Sequence, residues 1–485
     1  MSLKTKRRRD LNFSEYLIKK FKDKKCDLLG YGRSNKPLAE MLLSAGARVT
    51  FRDRNEGLLS DESALEFMRK GIGFCVGDGY LDSLDGDFIF RTPGIRHDLP
   101  EIAEAVRNGA VLTSEMELFF EVCPATIIGI TGSDGKTTTT TLTHLFLQKE
   151  GEKRGFKAFV GGNIGAPLLP FVSEMTENDF AIVELSSFQL QTMKTSPKRA
   201  VITNITPNHL NWHTDMDEYI TAKCNICRHS GAEVLVANAE NAVTREIAKN
   251  SDLPITYFSS AKSSYSDIVP FFKENCSAVY ACDGVVYLDD GKRREAIVAV
   301  SDILLPGVHN LENYMTAIAV TYPFVSRETV GEVAKTFGGV PHRLELVREM
   351  RGVRYYNSSI DSSPTRTAAA LRALDKAPII ICGGSEKNIP YDTLALDLCE
   401  RVKSVVLTGQ SAQNIFAALK ACPEYSSERL KVEHIPDFCE AVTYASSMAE
   451  EGDIVLLSPA CASFDRFKDF EERGNYFKKI VNGLE

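Results

Sequence analysis

The chain has 485 residues, 44% of them hydrophobic and 25% charged, with a net charge of -8, which points to two to four domains of an ordinary soluble globular protein. No apolar run of about 18 residues occurs, so no membrane span is expected, and the acidic balance argues against a general nucleic-acid binder. Twelve scattered cysteines, several in apolar surroundings, suit a reducing cytoplasm better than a disulfide framework.

Met1 to Asp10 is basic but lacks a following apolar stretch, so it reads as a solvated tail, not a secretory signal. Cys26 to Gly30 reads as a strand running into Gly30-Tyr-Gly32-Arg33-Ser34-Asn35. Lys36 to Ala45 reads as a helix and Arg48 to Asp53 as the next strand. This opens a Rossmann-like βαβ unit. Asn35 stands where the dinucleotide fingerprint needs its third Gly, so NAD is poorly supported, although the turn still offers N–H groups to a phosphate. Asp53 ends the second strand where an acid commonly meets a ribose; a plain βαβ turn explains the same residues equally well. Phe88 to Ile95, through Thr92-Pro93-Gly94, reads as a further strand and turn.

The most informative stretch is Gly129-Ile-Thr-Gly132-Ser133-Asp134-Gly135-Lys136-Thr137-Thr138. Thr126 to Ile130 reads as a buried strand and Thr139 to Leu147 as a helix. A Gly-rich turn between them points backbone N–H groups at a phosphate, with Lys136 for the outer phosphates and the Thr137 hydroxyl for Mg²⁺. Ile130 replaces the first Gly of the full P-loop pattern. The turn nevertheless predicts an ATP site.

Phe156 to Val160 reads as a strand entering Gly161-Gly-Asn163-Ile-Gly165, whose amide side chain is free to face a ligand. Phe180 to Glu184 reads as a strand ending in an acid, where a Mg²⁺ ligand is expected in a P-loop fold; an ordinary Glu after a strand is the alternative. Ala200 to Asn204 leads to His209, which from the residues alone is either a ligand or a satisfied structural histidine. Asp217 to Arg228 reads as a helix carrying Lys223, and helical lysines are usually solvated. Cys224 and Cys227 lie inside that helix without a second ligand pair, which supports neither zinc nor redox chemistry. Asn310 and Asn313 share one helix face, as readers of an adenine edge or as caps.

The last third reads as a further α/β unit, with strands at Val353–Tyr356, Pro378–Cys382, Ser404–Leu407 and Asp453–Leu457. Their loops follow strand C-termini, where open α/β sheets bind ligands.

Taken together, Gly-Ser-Asp-Gly-Lys-Thr-Thr, Gly-Gly-Asn-Ile-Gly, Val-Glu-Leu-Ser-Ser-Phe-Gln-Leu, Asn-His-Leu, Ala-Lys, His-Asn-Leu-Glu-Asn, Pro341-His342-Arg343 and Ser-Pro-Ala-Cys-Ala-Ser-Phe-Asp resemble the Mur ligases, in that family's order, from about Gly30 to Phe477. Ser-Ser-Phe-Gln-Leu and Ser-Pro-Ala-Cys-Ala-Ser point to the branch that adds D-glutamate. The resemblance implies three α/β domains: a Rossmann-like domain at 1–120 for the UDP substrate, a central P-loop ATPase-like domain at 121–340, and a Rossmann-like C-terminal domain at 341–485 for the incoming amino acid. It implies a cytoplasmic, monomeric, ATP- and Mg²⁺-dependent amide ligase acting on UDP-N-acetylmuramoyl-L-alanine and D-glutamate in peptidoglycan precursor synthesis.

Residue by residue, the resemblance implies that Gly132 to Thr138 hold the phosphates and that Asn310, Asn313 and Arg343 hold the rest of ATP. Thr137, Glu184, His209 and Lys223 would serve the metal, Lys223 as a carbamate, with Lys136, His209 and Lys223 catalytic. Gly32, Arg33, Ser34, Asp53, Arg54, Thr92, Gly94 and Asn163 would bind the UDP substrate. Ser362, Lys387, Ser463 and Phe470 would bind the amino acid. Two departures stand out. Ser358 occupies a position where the family often has Asp, and Ser385-Glu386 replaces the usual Asp-Gly before Lys387. The rival readings are another Mur ligase, a nicotinamide-dependent dehydrogenase, and a non-catalytic nucleotide sensor.

Overall fold

The structure is a computed structural model that describes residues 12–209, 212–269, 275–305, 307–386 and 390–484. The chain divides into two compact units between Thr336 and Phe337.

The first unit holds two sheets. The first is all-parallel, formed by β1 (Lys25–Leu29), β2 (Arg48–Asp53), β3 (Gly73–Val76), β4 (Phe88–Arg91) and β5 (Val111–Thr113) in the order β3-β2-β1-β4-β5. Strand order reverses between β1 and β4, so their C-terminal ends open the crevice where such sheets take ligands. Leu28 and Leu29 are fully buried, as expected of strands covered on both faces. Asn35, expected only to break a fingerprint, is buried and turns inward. Its Nδ2 donates to the Leu29 and Gly30 carbonyls at 3.1 and 3.0 Å, closing the turn from within. A helix not anticipated from the sequence, Phe13–Phe21, precedes β1, started by a capping box of Asn12 and Glu15.

The second sheet has nine strands in the order β14-β13-β12-β11-β10-β9-β6-β8-β7. They are β6 (Thr126–Thr131), β7 (Ala158–Gly162), β8 (Phe180–Glu184), β9 (Arg199–Ile202), β10 (Val234–Asn238), β11 (Ile255–Ser259), β12 (Cys276–Cys282), β13 (Val285–Asp289) and β14 (Arg294–Ala299). β6, followed by the Gly-rich turn, lies between β8 and β9 at the reversal of strand order. The helix after that turn runs over Lys136–Arg154, ten residues longer than the expected nine-residue stretch. Its Thr-rich start has weak helix propensity, but Thr139, Thr140 and Thr143 are buried with Leu142 and Phe146, and packing overrides propensity. It ends at Gly155, whose φ of 82° suits a left-handed cap. β12 to β14 form an antiparallel extension.

The second unit is a six-stranded sheet in the order β15-β16-β20-β17-β18-β19. Its strands are β15 (Glu345–Met350), β16 (Val353–Asn357), β17 (Ile379–Cys382), β18 (Ser404–Leu407), β19 (Lys431–His434) and β20 (Ile454–Leu457). All pairs are parallel except β15 with β16. Among the described residues no helix is long and apolar enough to cross a membrane, and no disulfide forms.

Candidate active site

The turn after β6 is shaped by close approach. Gly132 has φ of 148°, and a β-carbon there would lie 1.8 Å from Thr203 Oγ1. At Gly135, with φ of 77°, one would lie 2.5 Å from Asn313 Oδ1. The turn is pinned from below: Ser133 Oγ meets the Tyr219 hydroxyl at 2.9 Å and donates to the Thr206 carbonyl at 3.0 Å, and the Asp134 N–H donates to Asn204 Oδ1 at 2.9 Å. Asn313 accepts from Thr139 Oγ1 at 3.2 Å and donates to Asn310 Oδ1 at 3.5 Å. One helix face thus carries both amides against the start of the Lys136–Arg154 helix.

Two ammonium groups converge on one carbonyl. Lys136 Nζ donates to the Gly132 and Ser133 carbonyls at 2.9 and 2.8 Å. Lys223 Nζ donates to the same Gly132 carbonyl at 2.7 Å and to Thr131 Oγ1 at 3.3 Å. Lys223 is 1% exposed, so it is not the solvated helical lysine that propensity suggests. Burial, followed by Lys136, pushes its pKa well below the usual lysine range, against the opposing pull of Asp134 and Glu184. Burial, with Lys136 and Lys223, also lowers the His209 pKa, favouring a neutral imidazole. His209 holds φ of 55° and packs edge-on to Phe188 with ring centroids 5.0 Å apart.

Glu184 is 1% exposed. Its Oε1 accepts from Asn163 Nδ2 at 2.8 Å, while Oε2 is buried with no protein partner. That free oxygen and the glycine cradle are what a hard cation and a phosphate chain require, so the residues fit both groups. Among the described residues no three His, Cys, Asp or Glu side chains gather around one point.

A cavity of about 330 Å³ lies between the two sheets of the first unit, lined by Gly32, Arg33, Ser34, Thr92 and Asn163 among others. Asp53, Arg54 and Gly94 are not among its lining residues. The Asp53 carboxylate is taken by the N–H groups of Tyr31 and Asn55 at 2.8 and 2.9 Å, which makes it a brace for the glycine turn. Arg91, Ser114, Glu115 and Gln189 also line the cavity. Burial pushes the Glu115 pKa up to about 7.

In the second unit, Arg473 is 2% exposed and joins the loops after β16 and β20. It donates to Ser359 Oγ and the Ser359 carbonyl at 3.0 and 2.8 Å, and to the Cys461 and Ala462 carbonyls at 3.1 Å each. Ser359 Oγ donates to the Phe470 carbonyl at 2.8 Å, so the loops bearing Ser463 and Phe470 meet around Arg473. Asp361, buried beside Ser358, accepts from Ser458 Oγ at 2.8 Å, and burial raises its pKa. Arg343 is exposed and Ser362 half-buried; Lys387 lies outside the described residues.

Family models described as the Mur ligase middle domain and the Mur ligase glutamate ligase domain match residues 130–321 and 342–461. The chain is 45% identical over 471 residues to the UDP-N-acetylmuramoylalanine–D-glutamate ligase of Acetivibrio thermocellus, covering 96% of this chain and 98% of that one. The chain belongs to the Mur ligase family. Enzymes with the same name from Clostridium novyi and Clostridium perfringens are 44% and 42% identical, over 96% and 98% of this Mur ligase and 97% and 100% of their own lengths. Its fold matches the solved UDP-N-acetylmuramate–alanine ligase of Thermotoga maritima, with a TM-score of 0.52 at 19% identity over 95% of this chain and 100% of that one. Sequence reasoning missed several residues of this Mur ligase. Gln189 lay within a quoted motif, whereas nothing local marked Thr203, Tyr219 or Arg473, because their roles arise from contacts distant in sequence.

Proposed function

We propose that this Mur ligase joins D-glutamate to UDP-N-acetylmuramoyl-L-alanine in the cytoplasm, as a monomer, using ATP and Mg²⁺. The reading is carried by near-full-length similarity to enzymes of that name, at 45% identity over 96% of the chain. The L-alanyl carboxylate attacks the γ-phosphate of ATP, releasing ADP and forming an acyl phosphate. The D-glutamate amine then adds to the acyl carbon, loses a proton and displaces phosphate. Residues 1–120 take the UDP substrate, 121–340 take ATP, and 341–485 take the amino acid.

The meeting of a carboxylate with a triphosphate is a meeting of anions, and the chain answers it with preplaced charge. Lys136 leaves the loop carbonyls for the outer phosphates, and the N–H groups of the cradle follow them. Thr137, Glu184, His209 and carbamylated Lys223 are the residues that would hold Mg²⁺, which when bound supplies charge neutralisation at the γ-phosphate. A neutral Lys223 amine is the form that adds CO₂, giving a carbamate and a proton. Asn310, Asn313 and Arg343 bind the rest of ATP. Gly32, Arg33, Ser34, Thr92 and Asn163 bind the sugar nucleotide, with Asp53, Arg54 and Gly94 bordering it. Ser362, Lys387, Ser463 and Phe470 receive D-glutamate.

The test is phosphate release from ATP with Mg²⁺ and UDP-N-acetylmuramoyl-L-alanine across a panel of amino acids. Release with D-glutamate alone is expected. Release with another amino acid moves the chain within the family, and no release from folded protein overturns the reading.

A further inference from the structure

The loop leaving β4 serves two places at once. Thr92 and Pro93 line the 330 Å³ cavity. A few residues on, Arg96 reaches the turn that carries His209. Its Nη1 donates to the Trp212 carbonyl at 2.7 Å and its Nη2 to Glu218 Oε1 at 2.9 Å. Asp98 holds the other edge of the guanidinium at 2.8 and 2.7 Å, and the Trp212 ring centroid lies 5.0 Å away.

Glu218 extends the joint. Its Oε2 accepts from the Thr214 N–H at 2.6 Å and lies 3.4 Å from His213 Nδ1, while His213 Nε2 meets Ser187 Oγ at 2.9 Å. The N–H groups of Trp212 and His213 both donate to the His209 carbonyl at 3.0 Å. Phe188 packs against the rings of His209, Trp212 and His213 at 5.0, 4.4 and 5.5 Å. A left-handed histidine persists only where its surroundings impose that conformation, and the contacts that impose it lead back to Arg96.

We propose that Arg96 is a positioning residue for His209 and couples filling of the cavity to the geometry of the His209 turn. The proposal rests on the role given to His209 above. Arg96 touches no reacting atom. Its planar fork spans four acceptor oxygens on three residues, more than the three donors of a lysine can hold.

Trp212 is the only tryptophan of the chain, so intrinsic tryptophan emission reports this joint alone. Titrating the wild type with UDP-N-acetylmuramoyl-L-alanine, without ATP, is expected to change that emission saturably. In Arg96→Ala the response is lost and kcat falls by about 10²-fold, the scale set by a displacement of about 1 Å. The KM for the sugar nucleotide shifts as well but by less than kcat falls, since a coupling lost from the turn is also lost from binding. Arg96→Lys recovers part of kcat. Glu218→Gln loosens the joint from the other side and decides the matter if Arg96→Ala does not fold. A wild type whose emission ignores the sugar nucleotide overturns the proposal, as does a folded Arg96 or Glu218 variant with wild-type kcat. A wild type that binds but does not ligate D-glutamate overturns the functional reading and this proposal with it. Turnover in the wild type with indifferent variants overturns this proposal alone.

Discussion

Gly132→Ala tests the phosphate cradle most directly. Its β-carbon would sit 1.8 Å from Thr203 Oγ1, against the 3.0 Å that β-carbons keep from other atoms, so the loop must part from Thr203 by about 1 Å. A φ of 148° adds strain of about 1–3 kcal/mol for any residue with a side chain. The Gly132 carbonyl that moves is the one both lysines hold, so the displacement reaches the reacting groups directly. A shift of that size costs about 10²-fold in kcat, read as phosphate release at saturating substrates, with a lowered urea midpoint. Thr203→Ala removes the 1.8 Å contact and leaves the nearest atoms at 3.1 Å. The double variant is therefore expected to regain about tenfold over Gly132→Ala, as coupled neighbours do. Gly132→Ala at the wild-type rate, or a double variant whose losses simply add, would refute the argument.

Four further outcomes are expected. Glu115 has its pKa raised to about 7 by burial, so the unfolded chain ionises first as pH rises. Its contribution, ~3 kcal/mol, is present in acid and lost between the usual carboxylate range and pH 7; Glu115→Gln should flatten melting temperature across that window. Glu218 is held down to about 2, its burial outweighed by Arg96 and Thr214. Its contribution is therefore present above the usual carboxylate range and lost as pH falls toward 2, and Glu218→Gln should abolish that acid loss in a pH series of unfolding curves. Lys223 has a depressed pKa, so the unfolded chain binds more protons and stability rises with pH below the usual lysine range. Lys223→Met should remove that slope while abolishing phosphate release. Asn35→Ala leaves two turn carbonyls without their donor, which should cost about 1–3 kcal/mol in denaturant unfolding.

The parallel strands were the most legible part of the fold. Their apolar runs are buried on both faces, and Arg48–Asp53 and Phe180–Glu184 lie where the pattern put them. Helix lengths were less legible, as the Thr-rich start of Lys136–Arg154 shows, because burial there outweighs propensity. The antiparallel strands β13 and β14 alternate buried and open positions weakly and left no clear periodic signal. At the site, glycines and charged residues could be read as motifs, but their environments could not. Nothing local distinguishes a buried Lys223 from a solvated one, and the inward turn of Asn35 depends on carbonyls of a preceding strand. Lys136 and Lys223 are 87 positions apart in the sequence numbering, and only folding gives them a common carbonyl.

The clasp between Asn163 and Glu184 has a thermodynamic consequence for the proposed roles. The hydrogen that Asn163 gives to Glu184 is not available to a sugar nucleotide, which must take the second amide hydrogen or displace the carboxylate. A cation that draws off Glu184 releases Asn163, and a sugar nucleotide that engages Asn163 frees Glu184. Reciprocity then requires that each ligand change the other's affinity by the same factor. The order in which the two arrive alters the route but not the final equilibrium.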